Sequence, residues 1–305
     1  MSSWRIVFMG TPDFAVESLK ALLHAGHTVV GVVTAPDKPA GRGQKLSESA
    51  VKQYAQEQGL PILQPIKLKD PEFIAQLSAL KPDLQVVVAF RMLPETVWNL
   101  PPQGTVNVHG SLLPKYRGAA PINWAILNGE KETGVSTFKL QHEIDTGDIL
   151  LQEKMPIGPN ETAGELHDRM KVEGAQLLVK TLQELANGTL KASPQQLNSD
   201  TKHAPKLFKT DCEIDWNNTS EQIHNQIRGL SPYPTAFTVL GDKTLKIFSA
   251  EIEPGKPEIP AGTFSSDHKS YLKFAATDGY LSLKEMQLEG KKKMGIEEFL
   301  RGIRL

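Results

Sequence analysis

Ile6-Val7-Phe8-Met9-Gly10-Thr11-Pro12-Asp13-Phe14-Ala15 reads as a buried strand that breaks at a glycine and turns into a helix. Four apolar residues in a row, without alternation, suit a strand covered on both faces. Residues 16–24 then repeat apolar side chains at helical spacing. Strand, glycine turn and helix together begin an α/β unit. The Gly-x-Gly-x-x-Gly pattern of a dinucleotide site is missing, so Gly10 reads as a tight turn and Pro12 as a helix-start residue.

The same alternation continues outward from that start. Strands are expected over 28–34, 61–64, 84–90 and 105–109, and helices over 49–58, 70–80 and 119–127. Asp70-Pro71 is a helix-start pair. Two more strands, 134–139 and 148–155, precede a long helix over 162–185 that stops at Ala186-Asn187-Gly188. Strands alternating with helices predict a doubly wound, mostly parallel sheet over residues 1–189. Residues 190–209 lose periodicity and fill with Ser, Pro, Gln, Thr and Lys, as a linker does. Residues 210–305 then give one helix over 220–228 and short strands over 233–240, 245–250, 263–264, 271–275 and 280–287. A terminal helix is expected over 294–301, and the second domain reads as a small β-barrel.

Composition narrows the function classes. The chain has 305 residues, 39% of them hydrophobic and 23% charged, enough for two full cores in a soluble protein. A formal net charge of −1 gives no overall pull towards nucleic acid, so any RNA contact must come from a local patch. The single cysteine, Cys212, excludes an internal disulfide and a cysteine-based zinc site. The eight histidines show no metal-ligand spacing, so no metal is expected. No apolar run is long enough to span a bilayer, and a cytoplasmic, reduced location is expected.

Two stretches carry chemistry. On the strand 105–109, Asn107 and His109 point to one face and Val106 and Val108 to the other. A carboxamide and an imidazole thus stand together where a strand runs out into a loop, the place where ligands lie in a parallel sheet. Residues 140–151 place Asp145 in a glycine-containing loop before another strand. An amide donor, an imidazole and a carboxylate suffice for addition of a nucleophile to a carbonyl, the first two stabilising the oxyanion. An isolated Asn-x-His or Asp-x-Gly-Asp is more often plain strand and turn chemistry. The loop 35–46 holds Lys38, Arg42 and Lys45 against one acid, Asp37. It reads either as a solvated connection or as a basic finger for phosphate.

The long match Asn107-Val108-His109-Gly110-Ser111-Leu112-Leu113-Pro114, running on to Arg117-Gly118-Ala119 and Pro121 and followed by Asp145-Thr146-Gly147-Asp148-Ile149-Leu150, resembles the folate-dependent formyltransferases. The resemblance covers both domains. Within that family it extends to the branch that formylates methionyl initiator tRNA through Gly41-Arg42-Gly43, Ala204-Pro205-Lys206-Leu207 and Arg228-Gly229-Leu230-Ser231-Pro232-Tyr233-Pro234. It implies a Rossmann-like catalytic domain over 1–189 and an oligonucleotide-binding-type, tRNA-binding barrel over 210–305. Asn107, His109 and Asp145 match the family's catalytic trio, and Ser111, Leu112, Leu113 and Pro114 its tetrahydrofolate segment. Arg91 and Met92 stand at the pterin pocket, and Arg42, flanked by Lys38 and Lys45, matches the basic loop that meets tRNA. The implied partners are 10-formyltetrahydrofolate as formyl donor and methionyl initiator tRNA, used by a monomer away from membranes. Three departures stand out: Arg91 in a usually Tyr-Gly segment, Gly110 for the commoner Ala, and Tyr233 for Trp. The rival readings are a formyltransferase for an amino-sugar nucleotide or glycinamide ribonucleotide, and a non-catalytic RNA-binding protein. The glycine fingerprint and an acidic residue ending the second strand are both absent, which argues against a nicotinamide dehydrogenase.

Overall fold

The computed structural model of the chain describes residues 4–40, 45–197 and 201–303. In chain order the elements are β1 (Arg5–Gly10), α1 (Asp13–His24), β2 (Thr28–Val33), β3 (Lys38–Ala40), β4 (Lys45–Ser47), α2 (Ala50–Glu57), β5 (Ile62–Leu63), α3 (Pro71–Ala79) and β6 (Leu84–Val88). They continue with α4 (Glu95–Trp98), β7 (Thr105–His109), β8 (Arg117–Gly118), α5 (Pro121–Leu127), β9 (Glu132–Lys139), β10 (Ile149–Pro156), α6 (Ala163–Ala186) and β11 (His203–Ala204). After a short 3-10 turn come α7 (Ser220–Leu230), β12 (Ala236–Leu240), β13 (Lys243–Pro254), β14 (Phe264–Ser266), β15 (Leu272–Ala275), β16 (Gly279–Leu288), β17 (Met294–Gly295) and α8 (Ile296–Gly302).

Two compact units share these elements. The first is Met1–Gly118, Gly134–Met155 and His167–His203; the second is Ala119–Thr133, Pro156–Leu166 and Ala204–Leu305.

In the first unit seven strands run in the order β10-β9-β7-β6-β1-β2-β5. β1 pairs in parallel with β2 and β6, β2 with β5, and β6 with β7, whereas β7 and β9 are antiparallel. The sheet is therefore mostly parallel, as the alternation of strands and helices predicts. Ile6, Val7, Phe8 and Met9 are all fully buried, the reason β1 can be apolar on both faces. A Cβ on Gly10 would lie 2.6 Å from the Ala15 Cβ and 3.1 Å from the Val88 carbonyl, so the turn from β1 into α1 needs a glycine. Side-chain caps set the next helices: Ser49 accepts from Lys52 N at the start of α2, and Asp70 from Glu72 N at the start of α3. From β1 the chain winds through β2 to β5 on one side, then crosses back to β6 and β7 on the other. The order reverses between the carboxyl ends of β1 and β6, which is where such sheets bind ligands.

The described residues on either side of 41–44 pair with one another. Lys38, Pro39 and Ala40 pair antiparallel with Ser47, Leu46 and Lys45 to make a short ribbon. At its base, Asp37 accepts from Gln64 Nε2 at 2.8 Å and from Lys52 Nζ, and Lys52 also meets Glu48 at 2.8 Å. The Lys52 hydrogen bond, followed by that of Gln64, holds the Asp37 carboxyl below the usual carboxylate range.

The second unit is a curled antiparallel sheet of half-barrel form, β12-β13-β16-β15-β14, with β17 on β16. Irregular register between Ile247 and Ala250 bends the long β13. Trp216 stacks on Phe274 with ring centroids 4.7 Å apart and donates Nε1–H to Thr238 Oγ1 at 3.0 Å, a buried aromatic with its polar handle satisfied. The helix expected over 294–301 splits, because Met294 and Gly295 pair with Met286 and Glu285 before α8 starts at Ile296. Arg228, 4% exposed, donates Nε–H to Asn225 Oδ1 at 2.9 Å and Nη1–H to the carbonyls of Gly158 and Glu161 at 3.3 and 3.1 Å. A buried guanidinium is thus satisfied from three directions by the fork of donors only arginine has. Arg228→Lys is expected to cost about 2–3 kcal/mol, read as a fall in the urea unfolding midpoint of the full chain.

Candidate active site

Within the first unit, β7 sits between parallel β6 and antiparallel β9. Its register sets Val87 and Phe138 on either side of Asn107, and Ser136 opposite His109. Val106 and Val108 are buried on the opposite face from Asn107 and His109, the alternation the sequence implies. The Asn107 carboxamide is half-buried and has no hydrogen-bond partner among the described residues.

His109 is 7% exposed, with Phe138 edge-on at 6.4 Å between centroids. Its Nε2 lies 2.8 Å from the carbonyl oxygen of Tyr116. A carbonyl only accepts, so Nε2 carries a hydrogen, and Nδ1 is the nitrogen free to gain or lose a proton. Nδ1 faces Asp145 Oδ2 across 3.8 Å. That exceeds a direct hydrogen bond but is close enough for an ion pair when the ring is charged, and it leaves Nδ1 able to address a third group. The same Oδ2 accepts Gly118 N–H at 2.9 Å. Asp145 holds a left-handed φ of +54°, as does Tyr116 at +61°, conformations uncommon outside glycine. Asn107, His109 and Asp145, named separately from the sequence, therefore belong to one cluster: two on a strand, the third in the turn before β10.

The segment Ser111–Pro114 follows directly. Ser136 was not singled out by sequence reasoning, yet its hydroxyl organises this turn. It donates to Ser111 O at 2.6 Å and accepts from Leu113 N at 3.0 Å and from Gln152 Nε2 at 2.8 Å. Gln152 also donates to Leu113 O at 3.0 Å. The sequence signal for both is faint, since each is one of several polar residues on its strand. Ser111 spends its own hydroxyl on Lys115 O at 2.6 Å and is buried, as is Leu113, while Leu112 and Pro114 are half-buried.

A cavity of about 470 Å³ opens at the switch point. It is lined by Thr11 after β1, Pro36 and Lys38 after β2, Ile66 after β5, and Phe90 and Arg91 after β6. Lys38 is exposed on it. Arg91 donates Nη1–H to Ile66 O at 2.9 Å and Nη2–H to Pro65 O, tying the exit of β6 to the neighbouring loop. Its guanidinium lies 5.6 Å from the centre of the Phe90 ring, and Met92 beside it is 75% exposed. The cavity brings Lys38 and Arg91 together, while Asn107 and His109 stand on the adjacent strand β7 and Asp145 in the turn before β10. Lys45 begins the returning strand of the ribbon, and Arg42 lies outside the described residues.

Comparison with known proteins matches residues 4–182 to the family model described as formyl transferase, and residues 206–304 to the formyl transferase C-terminal domain. A methionyl-tRNA formyltransferase of Parabacteroides distasonis is 53% identical over 98% of this chain and 96% of that protein. One of Bacteroides thetaiotaomicron is 51% identical over 99% and 96%. Among solved structures, an N-formyltransferase of Helicobacter canadensis, complexed with folinic acid and dTDP-3-aminofucose, superposes with a TM-score of 0.67 at 22% identity. That match covers 95% of this chain and all (100%) of the other. HypX of Aquifex aeolicus in complex with tetrahydrofolic acid also has a TM-score of 0.67, at 19% identity over 99% of this chain and 48% of that one. At those identities the structural likeness establishes the fold.

The turn bearing Asp145 depends on Gly147, where a Cβ would lie 1.6 Å from the Lys139 carbonyl oxygen. Gly147→Ala must therefore displace main chain. The expected cost is about 1–3 kcal/mol, seen as a lower thermal midpoint, and a crystal structure of the variant is expected to show Asp145 moved away from His109.

Proposed function

The chain belongs to the formyl transferase family, and from that premise we propose that it transfers the formyl group of 10-formyltetrahydrofolate to the α-amino group of methionyl initiator tRNA. The observation that carries the reading is the cluster at the end of β7. A carboxamide uncommitted to protein stands beside an imidazole whose Nε2–H is anchored and whose other nitrogen faces a carboxylate at 3.8 Å. The near-full-length relatives, at about half identity, supply the choice of amine.

In this reading Asn107 Nδ2–H and His109 Nδ1–H donate to the formyl oxygen as the amine nitrogen adds to the carbon and the carbonyl electron pair moves onto oxygen. Asp145, 3.8 Å from His109 Nδ1, takes the proton shed by the amine, directly or through one water. When the carbon–N10 bond breaks, the returning proton neutralises the departing folate nitrogen. The products are formylated methionyl-tRNA and tetrahydrofolate. Ser111–Pro114 and Met92 form the folate-facing wall. Arg91 acts there through the loop it ties down. Lys38, Arg42 and Lys45 are assigned to the phosphates of the acceptor end. The work is done in the cytoplasm by a monomer.

The deciding experiment incubates the protein with 10-formyltetrahydrofolate and methionyl-tRNA, against free methionine; formylation of free methionine alone, or of neither, overturns the reading. Asn107→Ala and His109→Ala are each expected to lower kcat by about 10²–10³, and Asp145→Ala by more than about tenfold, with folded protein in each case. Lys38→Ala is expected to raise KM for methionyl-tRNA and flatten its dependence on salt by about 0.7 in log–log slope, with KM for folate unchanged.

A further inference from the structure

Residues 190–209 have no apolar periodicity, and nothing in their composition suggests chemistry. Yet Ser193 exchanges two main-chain hydrogen bonds with Ile149, at 2.8 and 2.9 Å, immediately after the turn that carries Asp145. That pairing sets Gln195, half-buried, beside the turn. Its Nε2 donates to Asp145 O at 2.9 Å and to Gly147 O at 2.7 Å. Its Oε1 accepts from Arg117 Nε and Nη2 at 3.0 and 2.6 Å. Both N–H bonds and both lone pairs of the carboxamide are therefore in use.

The two sides of this bridge meet the catalytic cluster. On one side the main chain is that of Asp145, which holds φ +54° and needs support to keep it. On the other side Arg117 stands between Tyr116, whose carbonyl takes the His109 Nε2 hydrogen, and Gly118, whose N–H binds Asp145 Oδ2. Gln195 thus bonds both the turn bearing the carboxylate and the segment that anchors the imidazole. A charged side chain here would fail. Glutamate satisfies Arg117 but has no hydrogen for two carbonyls, and lysine has no acceptor for the guanidinium.

We propose that Gln195 is a positioning residue for formyl transfer, its carboxamide holding the Asp145 turn against Tyr116–Gly118 so that Oδ2 stays opposite His109 Nδ1. The inference rests on the proposed function for its catalytic consequence and on geometry alone for its positioning role. The plain alternative is a loop-packing glutamine that adds stability and nothing else.

The test uses the full chain and two substitutions, because one of them alone could fail to fold. Gln195→Glu keeps the acceptor for Arg117 and removes the two donors; Gln195→Met removes both at similar size. Each is expected to lower kcat for methionyl-tRNA about tenfold, with KM for 10-formyltetrahydrofolate within about twofold of wild type. On an Asp145→Asn background the same substitutions are expected to change kcat by less than about twofold, since a residue acting through Asp145 has little left to disturb. Wild-type kcat in a folded Gln195→Glu protein, or equal losses on both backgrounds, overturns the proposal. A lower melting temperature with kcat unchanged identifies the packing role. Amide hydrogen exchange keeps the outcome separate from the choice of amine. Faster exchange at residues 145–148 with β7 unchanged supports the positioning role, and unaltered exchange overturns it. If the wild-type protein leaves methionyl-tRNA unformylated, the functional reading falls, and the exchange measurement alone decides for Gln195.

Discussion

A carbonyl oxygen can only accept, so the 2.8 Å contact between His109 Nε2 and the main chain of Tyr116 leaves one nitrogen of that ring to exchange protons. That restriction gives the neighbouring groups their roles. Asp145 has a single partner nitrogen to face, at 3.8 Å, and Asn107 on the same side of β7 is left to address a ligand. Had the ring been free to turn, neither the carboxylate nor the carboxamide would have a defined counterpart. In the proposed reaction the turn after β7 therefore matters as much as the three side chains.

Main-chain strain collects around this turn. Ala89 at the exit of β6, Tyr116 and Asp145 all hold left-handed φ values, +47°, +61° and +54°, without being glycine. Each such residue costs on the order of 1–3 kcal/mol, and Tyr116 and Asp145 are held by specific hydrogen bonds. Tyr116 is buried and takes a hydrogen from His109, while its own N–H goes to Lys202 O at 2.6 Å. Asp145 is held through Gly118 and Gln195. Arg91 closes the exit of β6 onto Pro65 and Ile66.

The alternation of apolar runs with helical periods was enough to read the parallel sheet, because strands buried on both faces leave a continuous signal, as Ile6–Met9 do. The pairing of Asn107 with His109 was equally legible, since it follows from a period of two along one strand. Other parts had no local signature. The ribbon of β3 and β4 forms from three-residue pieces containing a proline and two lysines, and its stability comes from pairing. The splitting of the last helix depended on a partner strand, β16. Ser136, Gln152 and Gln195 act through contacts with residues far away in sequence, so nothing next to them marks them out. The resemblance located the trio; the tautomer of His109 and the role of Arg91 as a tie between loops are visible only in three dimensions.

Most of the atoms that orient the trio belong to the peptide backbone: the carbonyls of Tyr116, Asp145 and Gly147, and the amide of Gly118. Backbone groups are common to nearly all residue types, but Gly147 admits no Cβ beside the Lys139 carbonyl, so this wiring tolerates other side chains only where the main-chain conformation survives. The positions exposed to loss by a single substitution are therefore Gly147 and the side chains that bond to this backbone, His109, Asp145 and Gln195. A lineage can accordingly rewrite other residues around this cluster while the wiring beneath it persists.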